Sequence, residues 1–409
     1  MYRIVAITLL LITSCYPLSL LAGEQMPSMS SRELGKTFEF HSKALEGSRI
    51  IDLYIPESHD KSLKKYPVVY VHDSSFLFDL TVSLLKNRWS RDLAPESIIV
   101  GIQSRDNHER FSFAMPMKRE DGSISFENSK PEKMEQFLIN ELAPFIESKY
   151  RTNGYKTLIG MSPTATNVLY DFLKQESYFN AHIAIAPNLE HSTVDNVPLD
   201  KAIHQAGAKK TRPFLFLGLA SGDLDANADR ALPFNYLAAE APSSKSGIYG
   251  FLPEATEHYS VAGISLEQAF AKLFPLAEWL PEYGKMRSSK LPIEYLKTFY
   301  EQLEKKVGYE VYPAVGGYWM GNSVTGFSRF LFRKKDYDKA LEFLTWADEK
   351  VAGDSLINLY LSRAYNYKSD KEQAVSHAEK SLMLARRHGE DASYTDYLEQ
   401  HLTSLKSSE

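Results

Sequence analysis

Seven short apolar runs constrain this 409-residue chain more than any other feature. They occupy residues 49–56 (RIIDLYIP), 66–72 (YPVVYVH), 97–103 (SIIVGIQ), 156–160 (KTLIG), 182–186 (HIAIA), 213–219 (PFLFLGL) and 248–252. Most are continuously apolar, with no alternation of polar and apolar residues. A strand of that kind needs cover on both faces, which is the situation of a parallel sheet flanked by helices. Helical patterns at residues 131–149, 165–173 and 266–276 lie between or after the runs. Strands alternating with helices over residues 35–280 predict an α/β region with a mostly parallel sheet.

From about residue 290 the strand runs stop, and Ala, Leu, Lys, Glu and Tyr dominate. DYDKALEFLTWADEK from Asp336 and KEQAVSHAEKSLMLA from Lys371 repeat one pattern, with Ala340 and Ala374 34 residues apart. Ala340, Leu344 and Ala347 match Ala374, Ala378 and Ser381 at the same offsets, and Tyr365 stands nine residues before Ala374. A 34-residue period with small residues where paired helices touch resembles tetratricopeptide repeats over residues 320–390, although Ser328 and Ser362 replace the Gly of the first helix. Two such repeats rarely stand alone, so this region is expected to pack on itself or on the first. The expected organisation is residues 30–285 as the α/β domain and 290–405 as a small all-α domain.

The first residues, MYRIVAITLLLITSCYPLSLLAGEQ, combine Arg3 with an apolar run ending near Ala22. Thr13, Ser14 and Pro17 interrupt it, which fits a cleaved secretory signal over residues 1–22 better than a membrane span. A second reading takes ITSC as a bacterial lipobox, with Cys15 lipidated. Either reading implies export, to the periplasm or outside the cell, with no transmembrane span in the mature protein. Cys15 is the only cysteine, which excludes an internal disulfide or thiol chemistry in a chain cut after Ala22. A net charge of −5 gives no electrostatic reason to expect nucleic acid as a partner.

The chemistry concentrates at GMSPT, residues 160–164. It follows the strand KTLIG and precedes the helical ATNVLYDFL, the strand–turn–helix setting of a nucleophile elbow. Ser162 is the candidate nucleophile. Gly160 supplies the small residue needed before it, and Thr164 meets that need poorly after it. A catalytic serine requires a base, and the base an orienting acid, which in this arrangement follow in the order acid then histidine. His258, in the loop before the helical stretch at 266–276, is the expected base. His182 opens an apolar strand and reads as structural. FLFLGLASGDLDAN ends a strand and offers two carboxylates. The G-x-x-D spacing from Gly222 favours Asp225, with Asp223 as the alternative acid.

The order and spacing of YPVVYVHDSSFLF, SIIVGIQSRDNHERFSFAMP, FLINELAPFIESKYRTNGYKTLIGMSPTA, AHIAIAPNL and HYS resemble the esterase D type of the α/β-hydrolases over residues 35–280. That group includes S-formylglutathione hydrolase, siderophore esterases, feruloyl esterases and mycolyltransferases. The resemblance implies Ser162 as nucleophile, His258 as base, Asp225 as acid, and the Ser75 N–H as one oxyanion donor. It implies a small-molecule ester as substrate and no cofactor. The second oxyanion donor in the family is the N–H of the residue after the serine. Here that residue is Pro163, which has none; loss of one such donor costs ~10²–10³ in rate. Three readings follow: another N–H or a hydroxyl such as that of Thr164 or Ser74 substitutes, the enzyme is slow and acts on an activated ester, or the site is silent.

His72 and Asp73 lack further ligands at useful spacing, so no metal is expected. Arg110 is expected to tie its loop to a carboxylate. Phe76, Phe78, Phe111 and Phe113 are candidate pocket or core residues, and the stretches 190–210 and 227–236 candidate lids. The sequence thus predicts a serine esterase. Its rivals are an acyltransferase and a catalytically silent scaffold whose helical region engages another protein. Siderophore, carbohydrate, feruloyl and simple acyl esters remain equal as substrates.

Overall fold

The structure is a computed structural model that describes residues 33–119, 121–187, 193–194, 197–198, 201–203, 205, 214–223, 247–288, 292–316 and 323–407. Residues 1–32, which hold the expected signal sequence and Cys15, lie outside the described residues, as do 227–236 and most of 190–210.

Eight strands form the main sheet: β1 (Lys36–Ser42), β2 (Gly47–Tyr54), β3 (Tyr66–His72), β4 (Ile98–Ile102), β5 (Thr152–Met161), β6 (Ala181–Ile185), β7 (Phe214–Gly218) and β8 (Ile248–Phe251). Their spatial order is β1-β2-β4-β3-β5-β6-β7-β8. The β1–β2 and β2–β4 pairs are antiparallel, and every pair from β4 to β8 is parallel. Six of the seven apolar runs are therefore parallel strands; the run at residues 49–56 is β2, antiparallel to both of its neighbours. β1, read in the sequence as no strand at all, alternates in burial because it is an edge strand. Four two-residue strands make a separate small sheet.

Successive side chains of each parallel strand enter two different cores. Val68, Tyr70, Val100 and Leu158 face one core, closed by α3 (Pro131–Phe137), α4 (Ala143–Lys149) and α5 (Pro163–Phe172). Val69, Val71, Ile159 and Met161 face the other, closed by α1 (Ser74–Trp89) and α6 (Val261–Leu273). The short α2 (Asn107–Ser112) follows β4.

The C-terminal helices are α7 (Pro292–Val307), α8 (Val324–Arg333), α9 (Tyr337–Lys350), α10 (Ser355–Tyr367), α11 (Lys371–Arg387) and α12 (Ala392–Ser407). Ala340, Ala347, Ala374, Ala378 and Ser381 are buried, which lets neighbouring helices approach closely. Asp336, Asp354 and Asp370 cap α9, α10 and α11 by accepting N–H groups of their first turns. The core of α1 and α6 continues without a break into Tyr300, Phe327, Phe343 and Ile357 of these helices, and residues 34–409 form one compact unit. The Leu63 N–H donates to Ala352 O at 3.1 Å, and the Lys65 N–H to Tyr312 Oη at 3.2 Å. Tyr155 packs on Tyr309 at 5.0 Å. These contacts seat the helices beside the N-terminal ends of β3 and β5. Among the described residues no helix is long and apolar enough to cross a membrane.

Candidate active site

Ser162 sits at the opposite, C-terminal end of β5, where the chain turns sharply into α5. Its backbone has φ 57° and ψ −121°, a region that costs a non-glycine residue of order 1–3 kcal/mol. The turn is fixed from both sides. The Ser162 N–H donates to Ile185 O at 2.8 Å, tying it to β6. A Cβ on Gly160 would lie 2.6 Å from Thr164 O, so only glycine lets α5 pass this close to the strand. The geometry aims the Ser162 hydroxyl out of the sheet edge.

The Ser162 Oγ lies 2.9 Å from Nε2 of His258. Nδ1 of His258 lies 3.1 Å from both carboxylate oxygens of Asp223. Asp225, favoured by the sequence for the acid, lies outside the described residues; the carboxylate in contact with His258 is that of Asp223. Two loops create the contact. The Gly222 N–H donates to Thr256 O at 2.7 Å, the Ser221 N–H to Thr256 Oγ1 at 3.3 Å, and the Thr256 N–H to Ser221 Oγ at 3.2 Å. A side chain on Gly222 would meet Thr256 O at 2.9 Å. The glycine that suggested a G-x-x-D spacing thus serves the loop closure that presents its immediate neighbour, Asp223. The Asp223 side chain is 3% exposed and that of His258 27%, so the acid is covered while the imidazole reaches solvent.

A second carboxylate organises the floor. Asp73, at φ 53° in the β3–α1 turn, takes Nε and Nη2 of Arg110 at 2.7 and 3.0 Å. It also accepts the Thr164 hydroxyl at 2.6 Å. The Thr164 Oγ1 in turn accepts the Met161 N–H at 2.9 Å. Arg110 therefore ties its loop to a carboxylate, as the sequence suggested, and Thr164 is an anchor between the elbow and the β3–α1 turn. This corrects its reading as a poor fit. The Ser74 hydroxyl donates to Asp52, which also holds Thr37 and Gln103. Both hydroxyls named as substitutes for the Pro163 N–H are thus committed elsewhere, and neither is placed to serve an oxyanion.

Backbone donors are better candidates. Ser75 is exposed in the first turn of α1, where helix N–H groups have no intrahelical partner. In α5 the first position is Pro163, and the Ala165 N–H goes to Ser162 O at 3.1 Å. The Thr164 N–H lies between them, and no described residue accepts it.

Phe76 and Phe111 are each 47% exposed, while Phe78 is in the core and Phe113 is half-buried beside Arg49. Phe76 meets Tyr259 edge-on at 6.3 Å, and Tyr259 meets His258 at 5.0 Å, an exposed aromatic rim next to the histidine. His72 is fully buried and pushed down to about 4 by that burial, so its imidazole stays neutral. Among the described residues no three His, Cys, Asp or Glu side chains are arranged to hold a metal ion.

Residues 42–228 match the family model described as "Putative esterase". A curated relative, the uncharacterized protein YbbA of Bacillus subtilis, is 25% identical over 136 residues, which are 32% of this chain and 54% of that protein. The chain thus spans about half the length of the curated relative it matches. Among solved structures, an uncharacterised protein of Capnocytophaga ochracea superposes with a TM-score of 0.56 at 19% identity, covering 91% of this chain and 99% of the other. An IroE-like serine hydrolase of Shewanella oneidensis gives 0.55 at 20% identity, covering 86% of this chain and 100% of its own. At such identities the likeness is one of fold, and it extends through the C-terminal helices. Residues 42–228 thus carry the esterase-family match, and the strand order gives the chain an α/β-hydrolase-like fold followed by a C-terminal helical region.

Proposed function

We propose that this protein is a serine esterase, exported by its N-terminal signal, in which Ser162 attacks the carbonyl of a small ester. The observation that carries the proposal is the continuous hydrogen-bonded line Asp223–His258–Ser162 at the C-terminal edge of the sheet. The Nδ1–H of His258 donates to Asp223, which leaves Nε2 with a lone pair facing the Ser162 hydroxyl. As the serine oxygen adds to the carbonyl carbon, its proton passes to Nε2, and the imidazolium is stabilised by Asp223. The proton then goes to the departing alkoxide, which leaves an acyl-enzyme. Water, deprotonated by the same nitrogen, releases the acid and restores Ser162. The Ser75 N–H and the Thr164 N–H are the donors proposed for the oxyanion, with the N-terminal end of α5 adding its dipole.

Hydrolysis of p-nitrophenyl acetate and butyrate, with Ser162→Ala beside the unaltered protein, tests this. Turnover absent from the variant supports the proposal. Equal rates in both proteins sink it. Pro163 favours one rival, a silent scaffold on the hydrolase fold, because it removes a donor that the reaction uses. That reading requires no turnover at any acyl length. Added alcohols that divert product into new esters would instead favour acyl transfer.

A further inference from the structure

A cavity of about 260 Å³ lies at the other end of the sheet, between the N-terminal ends of β3 and β5 and the C-terminal helices. Asn153 lines it from β5, nine residues before Ser162, which at ~3.3 Å per residue puts the two roughly 30 Å apart. It therefore takes no part in the chemistry proposed for Ser162.

Its charges are unbalanced. Lys64 and the exposed Lys65 share the lining with four carboxylates, Asp92, Glu96, Glu310 and Asp354, and Lys64 interacts electrostatically with Asp92, Glu96 and Asp354. Lys64 Nζ is committed to Glu96 at 3.1 Å, and Glu96 also takes the Ser58 hydroxyl at 2.7 Å. Asp354 uses Oδ1 to cap α10, accepting the N–H groups of Leu356 and Ile357 at 2.8 and 3.0 Å. Asp92 sits in the turn after α1 at φ 60°, and no donor among the described residues reaches its carboxylate. Burial pushes Asp92 up to about 7 and raises Asp354 as well, outweighing the opposing pull of Lys64 on both. Trp89 and Trp279 add aromatic walls of the kind that attract ammonium groups. The carboxylates are not arranged to ligate a metal ion. The volume suits several waters or one compact organic molecule.

We propose that this cavity is a second ligand site that holds a small organic cation bearing one or two ammonium groups. An ammonium would sit against Asp92, with a second group or an alkyl chain between Trp89 and Trp279. The site is closed by residues 310–316 and by Asp354, so only a chain carrying the C-terminal helices has it.

The test is calorimetric titration of the full chain with 1,4-diaminobutane in phosphate buffer. Butane-1,4-diol serves as the neutral isostere and magnesium chloride as the metal arm. The expected result is saturable binding of the diamine at one site per chain, with no binding of the diol. Asp92→Asn should weaken it about tenfold or more, since a charged hydrogen bond is lost. Ala314→Leu, which fills the cavity without touching charge, should abolish it, with circular dichroism confirming that both variants fold. Absence of heat with the diamine, equal affinity in Asp92→Asn, or magnesium binding in its place would each overturn the proposal. The readout needs no turnover, so it stands apart from the outcome at Ser162.

Discussion

Among the described residues there are two serine–histidine–aspartate clusters, and the difference between them separates the proposed chemistry from scaffolding. In one, Ser162 and Asp223 meet different nitrogens of His258. In the other, Ser177 and Asp171 both lie at Nε2 of His182, at 3.2 and 2.7 Å, while Nδ1 faces Phe214 O at 3.2 Å. Both ring nitrogens of His182 point at acceptors, Asp171 and a carbonyl. Neither nitrogen is therefore placed to take a proton from a serine. Burial alone would raise Asp171, but hydrogen bonds and charge from His182, with help from Ser177 and the Tyr178 N–H, hold it below its usual range. The His182 side chain is fully buried, whereas that of His258 is 27% exposed. The same three residue types thus give the proposed proton relay at the C-terminal edge of the sheet and a buried hydrogen-bonded cluster at the start of β6. What decides is which nitrogen each partner faces, together with access to substrate.

The sharpest way to break this comparison is to remove a member of each cluster. Ser162→Ala should lower kcat for p-nitrophenyl butyrate by ~10³ or more, with little change in the midpoint of thermal unfolding. Asp171→Asn should leave kcat per folded molecule unchanged and destabilise the chain by about 3–5 kcal/mol, as expected for breaking a buried pair. Kinetics and urea unfolding on both variants check this, and a reversal of the two effects would undo the assignment. Next in size is the choice of acid. Asp223→Asn should cost ~10³–10⁴ in kcat by removing the group that fixes the imidazole tautomer, while Asp225→Asn should cost less than about threefold. Equal losses would reopen the choice.

The missing donor gives a smaller effect of opposite sign. Pro163→Ala restores an N–H beside the nucleophile and should raise kcat by ~10-fold or more. An unchanged rate would mean that the Thr164 N–H already completes the hole. The smallest effect concerns pH. Asp171 has a lowered pKa in the folded state, so its contribution to stability is present above the ordinary aspartate value of 3.8 and lost as pH falls through the lower folded value. Acid unfolding of the unaltered chain should therefore steepen below pH 3.8, and Asp171→Asn should lack that component.

Much of this was legible in the sequence, for identifiable reasons. Continuous apolar runs gave the parallel strands because both sheet faces are covered. The elbow was visible because Gly160 and Ser162 are adjacent in sequence to the strand and helix they join. α1 was not read as a helix, because Leu77, Phe78, Val82 and Leu85 form its buried stripe while Phe76, Leu80 and Leu84 put apolar residues on its other faces and blur the pattern. Asp223 was ranked below Asp225 because the deciding contact, Gly222 against Thr256, joins loops more than thirty residues apart. The role of Thr164 depends on Asp73, 91 residues earlier, and no local pattern announces it. The seating of the C-terminal helices against β3 and β5, and the cavity that results, rest wholly on such long-range packing.

The most direct test of the central claim is labelling of the purified chain with a fluorophosphonate, followed by peptide mass spectrometry. An activated serine attacks phosphorus and expels fluoride, whereas an ordinary hydroxyl does not. The account predicts a stoichiometric adduct on Ser162, none on Ser177, and loss of labelling in His258→Ala. No adduct on Ser162, or labelling that survives His258→Ala unchanged, would contradict it.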